Sequence, residues 1–421
     1  MDKFIITGGS PLRGELPISG SKNAVLPVMA ATLLTKGTTV IHNVPDLVDM
    51  RTMAHLLRIL GAKVQFEDHR LTIDTTTYDF NEVPYELVKT MRASIYVLGP
   101  LLAKMGEAKV SLPGGCSFGP RPIDYHLRGL ETLGATVELK HGNIHATCSR
   151  LKGTEIYLDF PSVGATCNLM MSAVLAEGTT VLYNCAKEPH IINLGEVLQQ
   201  MGAKIQGVGT DTIKIEGVAE LHPCECSIYA DYIELGTFLI AGAITKGDLT
   251  LTHCDPMQAE AVINKLRRSG YNMELTPSTV RITCPRLPKA VNVTTMPYPG
   301  FPTDMQAQFM ALMSVTPGTS MIAETVFQSR FNHAMELNRL GANIHVDEGM
   351  AVVYGVDKLS GAPVMASDLR ASAALVLAGL VAEGETHISR VYHIDRGYES
   401  IETKLNAVGA SIQRVADSNR Y

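Results

Sequence analysis

The apolar and polar positions of the chain follow one pattern that occurs six times. Each copy has a helical run, a glycine that is usually followed by alanine, and a short strand with alternating apolar residues. The copies occupy segments 56–64, 127–137, 198–205, 266–273, 337–344 and 405–412. Their marker glycines, from Gly61 to Gly409, recur about every seventy residues, and such self-similarity indicates a repeat architecture.

A second series of turn glycines has the same period. Its members are Gly37, Gly106, Gly178, Gly247, Gly318 and Gly384. Each repeat is predicted to contain a helix, a strand, a helix and two strands, with another strand before the first helix. Six such units exceed one ordinary hydrophobic core, so we predict an α/β fold with two domains of three units each.

The first helix and the last two strands of a unit have distinct patterns. Segments 24–34 and 165–176 are apolar almost all round, which predicts helices buried inside their domains. Segment 204–215 alternates on both sides of a tight turn and therefore predicts a β-hairpin.

Composition narrows the class of protein. The chain has 421 residues, 46% of them hydrophobic and 19% charged, which is typical of a soluble globular protein. A net charge of −6 does not favour a nucleic-acid or membrane-surface partner, and no apolar run is long enough to span a membrane. Eight scattered cysteines without a CxxC pair predict a cytoplasmic protein with no disulfide framework and no zinc site.

One loop combines a thiol with glycines and an arginine. In the run Leu112-Pro113-Gly114-Gly115-Cys116, the density of glycine and proline predicts a loop, and nearby Arg121 would favour the thiolate of Cys116. A surface turn with an incidental cysteine is the alternative. Arg121 lies three residues later in its unit than Arg330 and Arg396 do in theirs, so this loop is an insertion in the repeat. Loops at a repeated edge often carry function.

The first helix of each unit begins with a polar cluster. Three serines at these positions are predicted helix N-caps: Ser21, Ser162 and Ser367. Three nearby cations are not explained by capping: Lys22, Arg92 and Arg370. A cation at a helix N-terminus opposes the helix dipole, so these positions predict a bound anion such as a phosphate ester or a carboxylate.

Asp304 is the candidate acid–base residue. It follows a proline-rich approach at 297–302 and stands at the start of a predicted helix. From spacing alone, a simple helix cap is the favoured interpretation of Asp304, and capping would lower its pKa. To act as a general base, Asp304 would need a substrate hydroxyl within hydrogen-bond reach.

These motifs resemble those of the enolpyruvyl transferase family, in particular its members that act on UDP-N-acetylglucosamine, over nearly the whole chain. The matching motifs are Gly20-Ser21-Lys22-Asn23-Ala24, Leu112-Pro113-Gly114-Gly115-Cys116, Arg121-Pro122-Ile123-Asp124, Ser162-Val163-Gly164-Ala165-Thr166, Pro302-Thr303-Asp304 and Arg396-Gly397-Tyr398-Glu399. The resemblance implies a two-domain inside-out α/β barrel built from six βαβαββ-type units. The implied domains are residues 22–229, with the Cys116 loop, and residues 1–21 with 230–421.

The resemblance also implies a reaction. The enolpyruvyl group of phosphoenolpyruvate would pass to the 3-hydroxyl of UDP-N-acetylglucosamine with release of phosphate, the first committed step of peptidoglycan synthesis. Cys116 matches the loop cysteine that donates a proton, adds covalently to phosphoenolpyruvate and reacts with the epoxide antibiotic fosfomycin. No metal, organic cofactor, nucleic-acid partner or membrane partner is expected, and a monomer is compatible with the sequence.

The residues with an implied role fall into two sets. The catalytic set is Cys116, Asp304, Lys22 and Arg396, of which Lys22 and Arg396, with Arg121, resemble the phosphoenolpyruvate clamp. The nucleotide-sugar contacts are Asn23, Arg92, Arg121, Pro122, Ile123, Asp124, Tyr125, Ser162, Val163, Gly164, Asp304 and Val326. Arg330 and Arg370 match arginines that line the cleft. Some relatives carry lysine at the position of Phe160 and leucine at the position of Tyr125.

Two other functions remain as alternatives. The first is 5-enolpyruvylshikimate-3-phosphate synthase, which lacks the cysteine loop and has Ser-Lys-Ser where this chain has Ser21-Lys22-Asn23. The second is a non-catalytic repeat protein that binds nucleotide sugars and regulates a partner. The presence of Cys116, Asp304 and Lys22 disfavours that second function.

Overall fold

The computed structural model describes residues 2–78, 82–83, 85–88, 91–112 and 123–416. Within them the fold is mixed α/β, with two domains. Residues between 20 and 229 form one compact unit, and residues 2–19 together with 230–416 form the other. Each unit has its own hydrophobic core. The predicted site residues Cys116, Arg121 and Pro122 lie outside the described residues.

Strands of the first 229 residues are short. They are β1 Asp2–Thr7, β2 Arg13–Pro17, β3 Thr38–His42, β4 Lys63–Glu67, β5 Arg70–Asp74, β6 Glu82–Val83, β7 Glu107–Ser111, β8 Thr136–Lys140, β9 Asn143–Thr147, β10 Glu155–Tyr157, β11 Thr179–Tyr183, β12 Lys204–Gln206, β13 Thr212–Glu216 and β14 Glu225–Ser227. The remaining strands are β15 Asp248–Thr252, β16 Asn272–Leu275, β17 Thr279–Thr283, β18 Val293–Thr294, β19 Thr319–Ala323, β20 Asn343–Asp347, β21 Met350–Tyr354, β22 Leu359–Ser360, β23 Pro363–Met365, β24 Ala382–Glu383, β25 Glu385–Ser389 and β26 Ile412–Ala416.

Helices alternate with these strands. The α-helices are α1 Lys22–Ala31, α2 Val48–Ile59, α3 Tyr85–Val88, α4 Leu98–Met105, α5 Asp124–Thr132, α6 Val163–Ala173, α7 Pro189–Gln200, α8 Tyr232–Ile244, α9 Glu260–Ser269, α10 Gln306–Ser314, α11 Asn332–Arg339, α12 Leu369–Gly379 and α13 Ile401–Ala407. Five 3₁₀ helices cover Thr32–Leu34, Arg92–Val97, Pro256–Ala259, Thr303–Met305 and Val391–Arg396.

Each unit holds three four-stranded sheets with a common strand pattern. In the unit of residues 20–229 the strand orders are β14-β3-β5-β4, β6-β7-β9-β8 and β10-β11-β13-β12. In the other unit they are β16-β17-β15-β2, β18-β19-β21-β20 and β23-β25-β1-β26. Each of these four-stranded sheets has one parallel edge pair, such as β14 with β3 or β23 with β25, and its other pairs are antiparallel. A separate two-stranded sheet pairs β22 with β24 in parallel.

The last sheet is completed by the N-terminal strand. Phe4 of β1 pairs with Ile388 of β25 on one side and with Arg414 of β26 on the other. The side chains of Phe4 and Ile6 are fully buried in the core of the unit that contains residues 230–416. Residues from the start of the chain are therefore part of the structure formed by its second half.

The helices predicted to be buried are buried. In α1 every residue from Ala24 to Ala31 is inaccessible to solvent, and the same holds from Ala165 to Ala173 in α6. In α8 all residues are buried. Both predicted helices end as α-helix earlier than expected, because the segment Thr32–Leu34 continues α1 as a 3₁₀ turn and α6 stops at Ala173. The predicted hairpin is formed by β12 and β13, with Ile205 opposite Ile215.

Candidate functional site

Asp304 is shared by two buried arginines. It lies in the 3₁₀ turn Thr303–Met305, directly before α10. Its Oδ1 accepts a hydrogen bond from Arg330 Nη1 at 2.7 Å, and its Oδ2 accepts one from Arg370 Nη2 at 2.9 Å. The side chains of Arg330 and Arg370 are 7% and 4% exposed, whereas that of Asp304 keeps 27% of its surface open to solvent. The carboxylate is thus held rigidly and remains reachable.

The two arginines determine the ionisation of Asp304. Burial alone would raise the pKa of this carboxyl, but the Arg370 and Arg330 guanidiniums hold the pKa well below its usual range. The interpretation of Asp304 as a helix cap is wrong, since no side chain caps this turn in the described part of the chain and the Asp304 carboxylate binds guanidiniums instead. Asp304 is therefore an ionised, weakly basic carboxylate.

Arg370 is fixed from three sides. It is the second residue of α12, whose N-cap Asp368 accepts hydrogen bonds from the backbone N–H of Arg370 at 2.9 Å. The guanidinium lies 5.7 Å from the ring centre of Tyr398, and Nη1 donates to the Tyr398 hydroxyl at 3.3 Å. That hydroxyl is also 2.8 Å from Thr237 Oγ1 and accepts from Gln308 Nε2 at 3.3 Å. The network orients Arg370 Nη2 toward Asp304.

Arg330 is fixed by its own surroundings. Its Nη1 donates to Thr303 Oγ1 at 3.1 Å as well as to Asp304, and its guanidinium lies 5.8 Å from the ring centre of Phe327. Val326, a predicted nucleotide-sugar contact, is half-buried in the same loop, and its N–H donates to Glu324 Oε1 at 3.0 Å. The structure therefore brings Asp304, Arg330 and Arg370 into contact and places Val326 four residues before Arg330.

Two histidines of the unit that contains Arg396 have lowered pKa values: His393 is near Arg396, and His333 is near Arg330. Arg396 is the last residue of the 3₁₀ helix Val391–Arg396 and is half-buried. Burial, followed by the charge of Arg396, lowers the pKa of His393. Burial also lowers the pKa of His333 to about 4, against the opposing effect of Asp368. Neither histidine was a sequence-based candidate, because a histidine on a helical segment carries no local signal of its environment.

Lys22 has a carboxylate partner within its unit. Its Nζ lies 2.8 Å from Oδ2 of Asp49 in α2, and both side chains are largely buried. The sequence predicted an anion at this cation but did not identify Asp49, which is separated from Lys22 by a strand. Ser21 precedes α1, but its predicted cap is wrong: its buried Oγ has no hydrogen-bond partner among the described residues. Asn23 is the half-buried second residue of α1.

His126 connects the remaining predicted contacts of this unit. Its Nδ1 is 2.9 Å from Nδ2 of Asn168, and a Cβ built on Gly164 would be 2.9 Å from its Nε2. Burial and the charge of Arg92 lower the pKa of His126 to about 4. The starts of α5 and α6 and the cation Arg92 therefore meet around a neutral imidazole, and Gly164 leaves it room. The sequence did not indicate His126.

The other predicted residues flank this histidine. Ser162 caps α6 as predicted, accepting from Ala165 N at 3.3 Å, and Val163 is the first residue of that helix. Ile123 and Tyr125 are half-buried and pack against the core, and Asp124 Oδ2 lies 3.6 Å from Arg128 Nη2. The predicted cap Ser367 is wrong, because Asp368 caps α12 and Ser367 Oγ donates to the Asp368 carboxylate at 3.1 Å.

Among the described residues, no group of three or more His, Cys, Asp and Glu side chains is arranged to hold a metal ion. The same part of the chain contains no helix whose length and hydropathy would allow it to cross a membrane.

Comparison with known proteins places these residues in a family. Residues 6–405 match the family described as EPSP synthase (3-phosphoshikimate 1-carboxyvinyltransferase). Three relatives named UDP-N-acetylglucosamine 1-carboxyvinyltransferase are similar over nearly their whole length. They come from Desulfosudis oleivorans (53% identical, covering 99% of this chain and 100% of the relative), Desulfatibacillum aliphaticivorans (52%, 99% and 100%) and Lawsonia intracellularis (55%, 98% and 99%).

Solved structures show the same fold. The enolpyruvyl transferase NikO from Streptomyces tendae matches with a TM-score of 0.90 at 27% identity, over 98% of both chains. EPSP synthase from Acinetobacter baumannii matches with a TM-score of 0.76 at 18% identity, over 99% of this chain and 100% of its own, and that likeness concerns the fold alone.

Proposed function

Since the chain belongs to the EPSP synthase (3-phosphoshikimate 1-carboxyvinyltransferase) family, we propose that it transfers the enolpyruvyl group of phosphoenolpyruvate to the 3-hydroxyl of UDP-N-acetylglucosamine. The observation that carries the choice of acceptor is the identity of 52% to 55%, over almost the full length, with relatives named for that activity. The reaction releases phosphate and is the first committed step of peptidoglycan synthesis.

The first chemical step is an addition to the double bond. The sugar oxygen attacks C2 of phosphoenolpyruvate while its proton passes to the carboxylate of Asp304, and C3 receives a proton from the Cys116 thiol. The negative charge of Asp304 stabilises the positive charge that develops on C2. In the second step C3 returns a proton to the Cys116 thiolate, the C2–O bond to phosphate breaks and the double bond forms again, and the proton held by Asp304 leaves with the released phosphate. Protons and electrons balance over the two steps, and neither step needs an oxidant.

The contacts of Asp304 suit the role of a base that is always ionised. Arg330 and Arg370 occupy one lone-pair direction on each oxygen, and the exposed part of the carboxylate is available to a hydroxyl. A carboxylate with a low pKa accepts a hydrogen bond without removing the proton in the ground state. Proton transfer then becomes favourable only when the attacking oxygen acquires positive charge.

Binding of the two anionic substrates is proposed to use cationic side chains. Lys22, Arg121 and Arg396 bind the phosphate and carboxylate of phosphoenolpyruvate, and the Asp49 carboxylate orients Lys22 from behind. The nucleotide sugar is bound by the residues that the family resemblance indicates. They are Asn23, Arg92, Arg121, Pro122, Ile123, Asp124, Tyr125, Ser162, Val163, Gly164, Asp304 and Val326, with Arg330 and Arg370 beside them.

The finer architecture belongs to the same proposal. The three sheets of each unit share one strand pattern, which supports six repeated βαβαββ-type units in an inside-out α/β barrel. The corresponding domains are residues 22–229 and residues 1–21 with 230–421. We place the enzyme in the cytoplasm, where both substrates occur, and assign it no metal or organic cofactor.

Phosphate release with different acceptors tests the proposal. Purified protein is incubated with phosphoenolpyruvate and either UDP-N-acetylglucosamine or shikimate 3-phosphate, and inorganic phosphate is measured over time. Release only with UDP-N-acetylglucosamine is expected, unchanged after exhaustive chelation. Release with shikimate 3-phosphate would reassign the acceptor. Binding of the nucleotide sugar without release would favour a non-catalytic regulator, and activity restored only by added Mg²⁺ would contradict the metal-free assignment.

A further inference from the structure

Glu324 is a buried carboxylate that the proposed chemistry does not use. Glu324 directly follows β19 and is only 2% exposed to solvent. Its backbone N–H donates to the carbonyl of Gly349, in the turn between β20 and β21, at 2.8 Å. A buried charge is costly unless hydrogen bonds satisfy it, so its partners are informative.

The partners of the Glu324 side chain come from three segments of the chain. Oε1 accepts from the N–H groups of Val326 and Phe327, both at 3.0 Å, and from Thr295 Oγ1 at 2.7 Å. Oε2 accepts from Thr303 Oγ1 at 2.9 Å. One oxygen therefore binds the loop that contains Val326, and the other binds the residue immediately before Asp304.

The branch through Thr303 reaches Asp304. The Thr303 hydroxyl donates to Glu324 and accepts from Arg330 Nη1 at 3.1 Å, and the same Nη1 donates to Asp304. Because the Glu324 carboxylate can only accept, the Thr303 hydroxyl proton points at Glu324. A lone pair of the same hydroxyl is then available to the Arg330 guanidinium. The direction of the Arg330 guanidinium, and through it that of Asp304 Oδ1, depends on this relay.

The branch through Oε1 reaches the predicted nucleotide-sugar contact. Two successive N–H groups, those of Val326 and Phe327, converge on one oxygen and fix the turn of this loop. Thr295 strengthens the branch, because its hydroxyl donates to Glu324 and accepts from the N–H of Thr325 at 2.9 Å. The Phe327 ring in turn lies against Arg330.

We propose that Glu324 is a positioning residue with two effects. Through Thr303 and Arg330 it orients the carboxylate of the base Asp304, and through its other oxygen it holds the conformation of the sugar-binding loop at Val326. The inference rests on the proposed function, in which Asp304 accepts the proton of the acceptor hydroxyl. The two branches leave Glu324 from different oxygens, so they can be separated by substitution.

Four variants separate the branches. Thr303→Val removes only the relay to Arg330 and is expected to lower kcat about tenfold, with little change in KM for the nucleotide sugar, a size typical of a lost hydrogen bond to a charged group. Thr295→Val weakens only the loop branch and is expected to raise that KM several-fold with little change in kcat. Glu324→Gln reverses the relay, because an amide nitrogen in place of Oε2 donates to Thr303, while the remaining oxygen still accepts from the loop. It should therefore resemble Thr303→Val, with lowered kcat and little change in KM. Thr303→Ser restores the hydroxyl and should recover most of kcat.

The matched control is Thr316→Val in the same unit. Thr316 is also buried and donates its hydroxyl to the carbonyl of Leu312 at 2.8 Å, so this variant loses a comparable bond away from the site. It should lower the melting temperature and leave kcat and KM unchanged. Equal kinetic effects of Thr303→Val and Thr295→Val, or kinetics of both that match Thr316→Val, would overturn the inference. An inactive wild-type protein would instead refute the proposed function.

Discussion

Arg370 and Asp304 stand 66 residues apart in the chain, yet Nη2 of Arg370 lies 2.9 Å from Oδ2 of Asp304. The arginine belongs to the start of α12 and the carboxylate to the turn before α10, so the pair joins two neighbouring buried helices. Arg330 completes the arrangement on the other oxygen.

Replacement of the carboxylate by an amide tests its role as base. Asp304→Asn keeps the size of the side chain but removes its charge, and turnover is expected to fall about a hundredfold or more, the range for loss of a general base. Turnover, affinity for the nucleotide sugar and thermal melting are measured together. Asp248→Asn, which breaks an exposed ion pair with Arg281, is the control and should retain full turnover. Near-normal turnover in folded Asp304→Asn would assign Asp304 a structural role.

The pH dependence of the reaction should respond to Arg330. This cation is one of two that hold the pKa of Asp304 below its usual range, so Arg330→Gln is expected to raise that pKa. A base loses activity as pH falls through its pKa, and the acidic limb of kcat/KM should therefore move to higher pH. Arg330→Lys retains a positive charge and should shift the limb less. Identical acidic limbs in all three proteins would show that Asp304 is not the group that must be ionised.

Stability at mildly acidic pH should report the buried His126. Its pKa falls from 6.5 to about 4 on folding, so below pH 6.5 the unfolded chain binds a proton that the folded chain does not. The neutral imidazole contributes its full stability above about pH 6.5. This stability is lost as the pH falls toward 4, and the loss amounts to about 2 kcal/mol at about pH 5. His126→Asn offers Asn168 an acceptor in the same place and should remove this part of the loss.

Urea unfolding at neutral pH and near pH 5 measures the effect. The difference in free energy of unfolding between the two conditions should be smaller in His126→Asn than in the wild type. His222→Asn, at an exposed position, should keep the wild-type difference. His333, which is shifted in the same direction, continues to contribute in both variants. An unchanged difference in His126→Asn would mean that the imidazole is not buried in its neutral form.

Cys116 should be the residue alkylated by fosfomycin. Among the described cysteines, burial raises the pKa of Cys148, Cys254 and Cys284 and so suppresses their thiolates. Cys224 is the competitor, because a hydrogen bond from Cys226 lowers its pKa. Intact mass should show one adduct per chain, absent in Cys116→Ser and retained in Cys224→Ser.

A second variant at the same position separates labelling from turnover. Cys116→Asp should resist the drug and keep turnover, since a carboxylic acid can still donate the proton. Labelling that persists in Cys116→Ser would show that the reactive thiol lies elsewhere in the chain.

Features set by neighbouring residues were predicted well from the sequence. The apolar runs of α1 and α6 predicted buried helices, alternation predicted the β12–β13 hairpin, and Ser162 is a cap as expected. The prediction of a serine cap was wrong at Ser21 and Ser367. The preference for serine at a helix start is statistical, and tertiary neighbours can override it. The mixed α/β fold with two domains followed from the repeat.

Features set by tertiary contacts were not predictable in the same way. Asp304 was identified, but its two arginine partners come from distant segments, Arg330 from the loop before α11 and Arg370 from α12. Nothing in the local sequence distinguishes such a carboxylate from a cap. Asp49, His126 and Glu324 were missed for the same reason, because the importance of each depends on a contact with a residue that is distant in the sequence. Family motifs indicated which residues matter, and the packing of helices determines what those residues touch.

The pairing of β1 with β25 and β26 has a consequence for synthesis on the ribosome. A nascent chain that has reached residue 229 already contains every strand of the first three sheets and can close that core. Strand β1 is made before these strands, but its partners at 385–389 and 412–416 are made after them. During most of translation Phe4 and Ile6 belong to an unpaired apolar segment, which is the kind of segment that chaperones bind. The sheet that contains β1 can therefore form only after residues 385–416 have been made.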